Sequence, residues 1–318
     1  MARILLARPM PDSVRAAAAE IAEVEVRESN LPMKPGEMRA ALTIYDAVMP
    51  TLGDMFTART FDGLTNPRAK ILANFGVGYN HIDVAAARAA GVAVSNTPGA
   101  VTDATADIAM TLILMSCRRA GEGERLVRAA QWTGWHPTQM LGLNVTGRTV
   151  GIVGMGRIGK AIAKRCHHGF GMQVKFFNRS PVAEPGVPAT QVDSLTDLAA
   201  GVDILVVAVP GGPETHHLIG PDVLAAMQAH AHLINISRGD VVDEEVLIAA
   251  LQTGRIAGAG LDVYEFEPQV PPALIALENA VLLPHLGTAA LEVREAMGMM
   301  ALDNIRAVLA GEAAPNAV

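Results

Sequence analysis

The stretch from Thr149 to Phe177 limits the fold more than any other part of the chain. Thr149-Val150-Gly151-Ile152-Val153 is apolar and strand-like, and it runs directly into Gly154-Met155-Gly156-Arg157-Ile158-Gly159, a G-x-G-x-x-G signature. Lys160 to Cys166 then has helical composition, and Val174 to Phe177 reads as a second strand. Each glycine has a mechanical reason to be there. Gly154 permits a tight turn, Gly156 lets a pyrophosphate approach the backbone, and Gly159 packs helix against strand. The start of the helix offers unpaired N–H groups to the phosphates. The glycine pattern alone is a weak signal; strand before, helix after and a second strand together indicate a dinucleotide-binding βαβ unit. Arg157 and Ile158, inside the signature, join Gly154, Gly156 and Gly159 as candidate cofactor contacts.

The same alternation continues on both sides. Short apolar runs at Ile4–Ala7, Val24–Val26, Ala47–Met49, Ile71–Asn74 and Val92–Ser95 are separated by Ala-rich helical stretches. A second series follows at Val150–Val153, Val174–Phe177, Ile204–Val209, Leu233–Ile236, Ala257–Leu261 and Val281–Leu283. Such alternation implies parallel sheets, and two series in 318 residues imply an α/β protein of two doubly wound domains. Apolar residues make up 50% of the chain and aromatics only 4%, so the core must be built from Ala, Val, Ile and Leu. Between the series, Ala104 to Met115 reads as apolar on nearly every face and needs cover from domain packing or a second subunit. The last segment, Glu292 to Leu309, has helical spacing and is expected to fold back onto the first domain. Pro181 to Pro188 reads as a surface loop.

Several classes of function are disfavoured. A net charge of −7, with only 18% charged residues, offers no broad surface to a polyanion, so no nucleic-acid partner is expected. Cys117 and Cys166 are too few for a disulfide framework or a cysteine metal site, and a reducing cytoplasm is the natural compartment. The apolar run at Ile4–Ala7 is too short for a signal-peptide core, and no stretch reaches the roughly 20 apolar residues of a membrane span, so no membrane partner is expected.

The exit of the second strand bears on the choice of cofactor. An acidic residue there would accept hydrogen bonds from the ribose hydroxyls and repel a 2′-phosphate. The chain reads Asn178-Arg179-Ser180 instead. Arg179 can neutralise the phosphate, with Asn178 and Ser180 hydrogen-bonding it, which favours NADPH (NADP+) over NADH, the latter accepted with lower preference. An ordinary solvated arginine is the competing explanation.

Three strand exits carry candidate chemistry: Arg238 after Leu233–Ile236, Asp262 and Glu267 after Ala257–Leu261, and His285 after Val281–Leu283. Ligands of open parallel sheets bind outside the carboxyl ends of the strands, so these groups are expected to meet over the nicotinamide. Guanidinium matches a carboxylate with a planar fork, so Arg238 would anchor a keto acid and polarise its carbonyl. Hydride arriving at that carbon leaves charge on oxygen, and an imidazole, with an unperturbed pKa of about 6.5, is a natural proton donor. Glu267 would orient His285 and favour its charged form. No metal is required. Taken singly, His285 would be structural as readily as catalytic, and Glu267 a solvated loop acid. His167, His168, His216, His217, His230 and His232 read as structural, in helical, polar or turn-like stretches.

With Gly76-Val77-Gly78-Tyr79-Asn80-His81-Ile82-Asp83, the glycine signature, and the Arg238, Glu267 and His285 segments in this order, the chain resembles the D-2-hydroxyacid dehydrogenase family over nearly its whole length, and most closely the glyoxylate/hydroxypyruvate reductase branch. The resemblance implies a Rossmann dinucleotide-binding domain at 99–286, inserted into a flavodoxin-like substrate domain made of 1–98 and 287–318. It implies that Val77 and Gly78 hold the substrate carboxylate through their backbone N–H groups beside Arg238. It also implies cofactor contacts at Thr105, Val209, Pro210, Thr215, Ile236, Ser237, Arg238, Asp262, His285 and Gly287, with Asp262 on the nicotinamide amide. Trp132-Thr133-Gly134-Trp135 is similar to the tryptophan pair of that branch, whose second member, here Trp135, would reach a neighbour's substrate pocket across a homodimer interface formed by a segment including Val101 to Met140. A plain interface anchor is the other reading of Trp135.

The expected activity is NADPH-dependent reduction of a small 2-keto acid, glyoxylate or hydroxypyruvate, to the D-2-hydroxy acid. Within the family, formate dehydrogenase-like chemistry needs no proton donor, and phosphoglycerate dehydrogenase would carry a regulatory domain beyond Val318. A hydroxyphenylpyruvate reductase shares the basic loop and is the nearest alternative, although Trp135 would crowd its larger substrate. A nucleotide-sensing binding module like the family's corepressor relatives would keep the same residues, but the chain has no extended tails for partner motifs. Two departures from the family pattern stand out: Ala289-Ala290-Leu291 after the histidine, and Asn74-Phe75 before Gly76, the latter expected to bear on which side group of the substrate fits.

Overall fold

The computed structural model describes residues 2–318. The chain divides into two compact units: one made of residues up to Val101 together with Thr288–Val318, the other of Thr102–Gly287. The expected breaks after residues 98 and 286 thus fall after Val101 and Gly287.

The first unit begins β1 (Arg3–Leu6), α1 (Asp12–Ile21), β2 (Glu23–Val26), α2 (Pro35–Ile44), β3 (Ala47–Met49), α3 (Ala58–Phe61), β4 (Ile71–Ala73), α4 (Val84–Ala89) and β5 (Ala93–Ser95). Its five strands are parallel, in the order β2-β1-β3-β4-β5, the flavodoxin-like arrangement. Successive residues of a strand point to opposite faces. Leu5, Val48, Leu72 and Val94 accordingly enter one core, and Ile4, Leu6, Ala47, Met49 and Ile71 the other. Both faces are covered, which is why these strands are continuous apolar runs rather than alternating ones.

The second unit runs through α5 (Thr102–Cys117), α6 (Ala120–Arg128), β6 (Thr149–Val153), α7 (Arg157–Phe170), β7 (Gln173–Phe177), β8 (Ala189–Gln191), α8 (Leu195–Ala200) and β9 (Ile204–Val207). It continues with α9 (Pro221–Ala226), β10 (His232–Asn235), a 3-10 turn (Gly239–Val241), α10 (Glu244–Gln252), β11 (Gly258–Leu261), α11 (Pro272–Ile275) and β12 (Ala280–Leu282). Seven parallel strands lie in the order β12-β11-β10-β9-β6-β7-β8. Strand order reverses where β6 pairs with β9, and a crevice opens at the carboxyl ends of such a pair. The same two-face logic places Leu205, Val207, Leu233 and Leu261 in one core and Ile204, Val206 and Ile234 in the other.

The chain then returns to the first unit as α12 (Leu291–Leu309), whose Ala301, Leu302 and Ile305 lie in a core with Ile4 and Val14. Gly298 lies so close to α1 that a Cβ there would stand 2.4 Å from Cγ2 of Val14. Only glycine allows that approach.

Three expectations need correction. Helix α5 is not apolar all round: Asp103, Asp107, Thr111 and Leu114 form one exposed stripe, while Ala106, Ala109, Met110, Leu112 and Ile113 are buried within this chain. His232 is not in a turn or helix but opens β10, buried, with Nδ1 2.7 Å from the Ser116 hydroxyl. Burial, aided by the nearby His230, pulls its pKa down to about 4, so the ring is neutral near pH 7. Strand β8, three residues at the sheet edge and half-exposed, was too short to show a pattern. Among the described residues no helix is long and apolar enough to cross a membrane.

Candidate active site

The glycine signature folds as its chemistry demands. Gly154 sits at φ +95°, and a Cβ there would lie 2.7 Å from the Ala208 carbonyl oxygen on the neighbouring strand exit. A Cβ at Gly159 would fall 2.1 Å from the Gly154 carbonyl oxygen, so α7 packs directly on the turn. Gly156 caps α7 with open space beside it, the property needed where a phosphate must approach the backbone. Arg157 is exposed and Ile158 half-buried on the first turn of the helix.

At the exit of β7, Asn178 is partly committed to the protein. Its Oδ1 accepts from the Met155 N–H at 3.2 Å, and its Nδ2 donates to the Ser180 carbonyl at 2.9 Å, tying this exit to the glycine turn. Arg179 is exposed and forms an ion pair with Glu214, which belongs to the loop leaving β9. That loop is shaped by Thr215, whose hydroxyl donates to the Pro210 carbonyl at 2.8 Å, and by a hydrogen bond from Ser237 Oγ to the Val209 carbonyl. Glu214 carried no sequence signal, because nothing in the pattern brings the two loops together.

Arg238 leaves β10 in a turn built by Asn235. The Asn235 amide donates to the Arg238 carbonyl at 2.9 Å and accepts from the Ser237 N–H at 3.0 Å, and the guanidinium folds back to donate to the Ser237 carbonyl at 2.7 Å. Ile236, also in this turn, is buried. Gly239 is what allows the next loop to close in: a Cβ there would sit 1.8 Å from the carbonyl carbon of Tyr264. Burial pulls the Arg238 guanidinium below its usual range, while Glu267 and Asp240 favour its charge. A guanidinium stays protonated under all such pressures.

Glu267 Oε2 meets His285 Nδ1 at 2.9 Å, and its Oε1 accepts from the Tyr264 N–H at 3.1 Å. Burial would raise its pKa, but the His285 hydrogen bond and charge, the Tyr264 amide and the Arg238 charge outweigh it, so the carboxyl lies below its usual range. Glutamate and histidine, brought from two strand exits, are thus hydrogen-bonded, and the arginine of a third exit acts on the glutamate through its charge. His285 itself has φ +54°, an uncommon backbone for a side chain other than glycine. Asp262 holds it there. The Asp262 carboxylate accepts from the N–H groups of Leu286 at 2.6 Å and Gly287 at 2.8 Å, and its carbonyl accepts from the His285 N–H at 3.0 Å. Burial raises the Asp262 pKa, and these two amides oppose the rise. Thr105 secures the far side, its hydroxyl donating to the Gly287 carbonyl at 3.2 Å. The positioning work of Asp262 and Thr105, and that of Asn235, was invisible in sequence because it depends on turn geometry.

The remaining expected positions lie elsewhere. Val77 and Gly78 are half-buried in the loop after β4 of the first unit. Trp135 is 79% exposed on the segment after α6, near the exposed Trp132 and Leu141. Asn74, expected with Phe75 to bear on which side group of the substrate fits, is 1% exposed, and its side chain donates to the carbonyls of Gly76 and Gly78. Asp83 proves to be a helix cap, accepting from the Ala86 N–H at the start of α4.

The chain is similar to known proteins over nearly its whole length. The profile described as "D-isomer specific 2-hydroxyacid dehydrogenase, NAD binding domain" matches residues 110–287. The glyoxylate reductase of Thermococcus onnurineus is 40% identical over 99% of this chain and 95% of its own length. The glycerate dehydrogenase of Hyphomicrobium methylovorum is 36% identical over 97% of this chain and 96% of its own. The structure of the NADPH-dependent glyoxylate/hydroxypyruvate reductase of Sinorhizobium meliloti, in complex with NADP and malonate, superposes with a TM-score of 0.88 at 36% identity, covering 100% of this chain and 96% of that one.

Proposed function

We propose that this chain, which belongs to the D-isomer specific 2-hydroxyacid dehydrogenase family, reduces glyoxylate or hydroxypyruvate to the D-2-hydroxy acid with NADPH, using His285 as proton donor. The coarser statement, an oxidoreductase interconverting small 2-keto and 2-hydroxy acids with a nicotinamide cofactor, follows from its relatives. One observation carries the finer reading: the 2.9 Å contact between His285 Nδ1 and Glu267, with the Arg238 charge acting on the same carboxylate.

The cofactor is assigned to the turn Gly154–Gly159, the exits of β7 and β9, and the residues Thr105, Ile236, Ser237, Asp262 and Gly287. When bound, the dihydronicotinamide supplies a hydride to the carbonyl carbon. The chain's own residues do the rest. Arg238 takes the substrate carboxylate and draws charge from the carbonyl oxygen. Glu267 accepts a hydrogen bond from the Nδ1–H of His285, which leaves Nε2–H as the acid and stabilises the imidazolium before transfer. The proton passes from Nε2 to the new alkoxide, and His285 ends neutral, to be reprotonated from solvent. Arg179 accounts for the NADPH preference, its guanidinium passing from Glu214 to the 2′-phosphate. We assign the exposed Val127, Trp132, Trp135 and Leu141 to contact with a second copy in a homodimer, and the cytoplasm as compartment.

The test is turnover of glyoxylate, hydroxypyruvate and 4-hydroxyphenylpyruvate with each cofactor. Fastest reduction of the two small acids, with NADPH ahead of NADH, is expected. No oxidation of NADPH with any keto acid would sink the enzymatic reading and leave a nucleotide-sensing role.

A further inference from the structure

The loop after β4 is built by its side chains to present its backbone. Asn74 Nδ2 donates to the carbonyls of Gly76 at 3.0 Å and Gly78 at 2.9 Å, and the Thr97 N–H adds a second bond to Gly76 at 3.2 Å. Asn96 Nδ2 donates to the Val77 carbonyl between them at 2.8 Å. Three consecutive carbonyls are therefore each held by an asparagine side chain. In a trans peptide the N–H points opposite to its C=O. The N–H groups that share those peptides, of Val77, Gly78 and Tyr79, each then point away from the asparagine that binds the carbonyl, and none donates to an acceptor among the described residues. Val77 and Gly78 are half-buried and Tyr79 exposed, so the donors are open to a ligand. Successive amides turned to one side form an anion-binding concavity.

His81 locks the arrangement. Carbonyl oxygens can only accept, so the Asn74 NH2 must face Gly76 and Gly78, and its Oδ1 must face His81, 3.0 Å from Nε2. His81 Nε2 is therefore the protonated nitrogen, and it donates. The whole frame is buried: Asn74 is 1%, His81 4% and Asn96 9% exposed.

We infer that Asn74, Asn96 and His81 are positioning residues that hold the amides of Val77, Gly78 and Tyr79 as a preformed site for the substrate carboxylate, with Tyr79 as a third donor. The inference rests on the keto-acid reading above. Because the frame touches the ligand only through backbone, it sets substrate affinity rather than the chemical step.

Asn74→Ala is expected to raise KM for glyoxylate about 10- to 100-fold while KM for NADPH and kcat stay within about 3-fold. His81→Leu should follow it part of the way, and His81→Gln, which restores a donor to Asn74 Oδ1, should recover most of the loss. Calorimetric titration of oxalate into the NADP+-saturated protein repeats the comparison without turnover and should show the same ranking. Wild-type KM and oxalate affinity in Asn74→Ala would overturn the inference, as would a rise shared equally by glyoxylate and NADPH. Should Asn74→Ala fail to fold, equal glyoxylate KM values for His81→Leu and His81→Gln would overturn it. A wild-type protein that binds oxalate more tightly than Asn74→Ala does, yet turns over no keto acid, would sink the functional reading and leave the loop standing.

Discussion

The β4 loop of the first unit and the strand exits of the second are two different solutions to handling a negatively charged small molecule. In the second unit the working groups are charged side chains, and the backbone serves them: Asp262 gathers two amides to fix His285, and Asn235 shapes the turn that carries Arg238. In the first unit the roles are reversed. The side chains of Asn74, Asn96 and His81 are consumed inside the protein so that amides can be offered outward. The charged design titrates and moves protons. The other presents backbone amides, which do neither.

This contrast can be broken most decisively at His285. His285→Ala should lower kcat about 10²- to 10⁴-fold, as loss of a general acid does, with little change in glyoxylate KM. A comparable fall in kcat for Asn74→Ala would erase the distinction. Arg238→Ala should reduce kcat/KM by about 2–5 kcal/mol in transition-state free energy, affecting both binding and rate. An effect confined to KM would move Arg238 to the side of the purely binding groups. Arg179→Asp should cut the preference for NADPH over NADH by roughly 10- to 100-fold, the worth of a charged hydrogen-bonded contact; steady-state constants with each cofactor check it. The smallest effect concerns stability. The Glu267 pKa is lowered in the folded protein from an ordinary value of 4.5, so its contribution is complete above that value and disappears as pH falls through the lower folded one. Thermal melts of the wild type should therefore lose more between about pH 5 and pH 3 than those of Glu267→Gln. Parallel losses would mean the pair contributes nothing to folding.

The two regions also differ in how far they could be read before the structure. Parallel sheets, the signature turn and the order Arg238, Glu267, His285 were legible, because apolar runs and charged residues at strand exits carry their meaning in residue type. The groups that hold them were not. Asp262 was read for its own carboxylate and not for the amides it collects, and Asn74 was read with Phe75 for the substrate's side group and not for the Gly76 and Gly78 carbonyls it binds. Glu214 beside Arg179 and Gly239 beneath Tyr264 depend on which loops meet, a matter of sheet order that spacing does not encode. Helix α5 was misjudged for a related reason: its exposed stripe of Asp103, Asp107, Thr111 and Leu114 is sparse enough to vanish among small apolar neighbours.

The packing of Gly298 on Val14 has a consequence for biosynthesis. The helix that covers one face of the first unit's sheet is encoded after the whole inserted unit, so a nascent chain leaving the ribosome carries that sheet with Ile4, Leu6 and Met49 short of their partners. Elongation at about 5–20 residues per second gives the inserted unit time to fold first. The apolar strands before the insertion must wait for the helix after it, and in that interval they are the part of the molecule most in need of a chaperone.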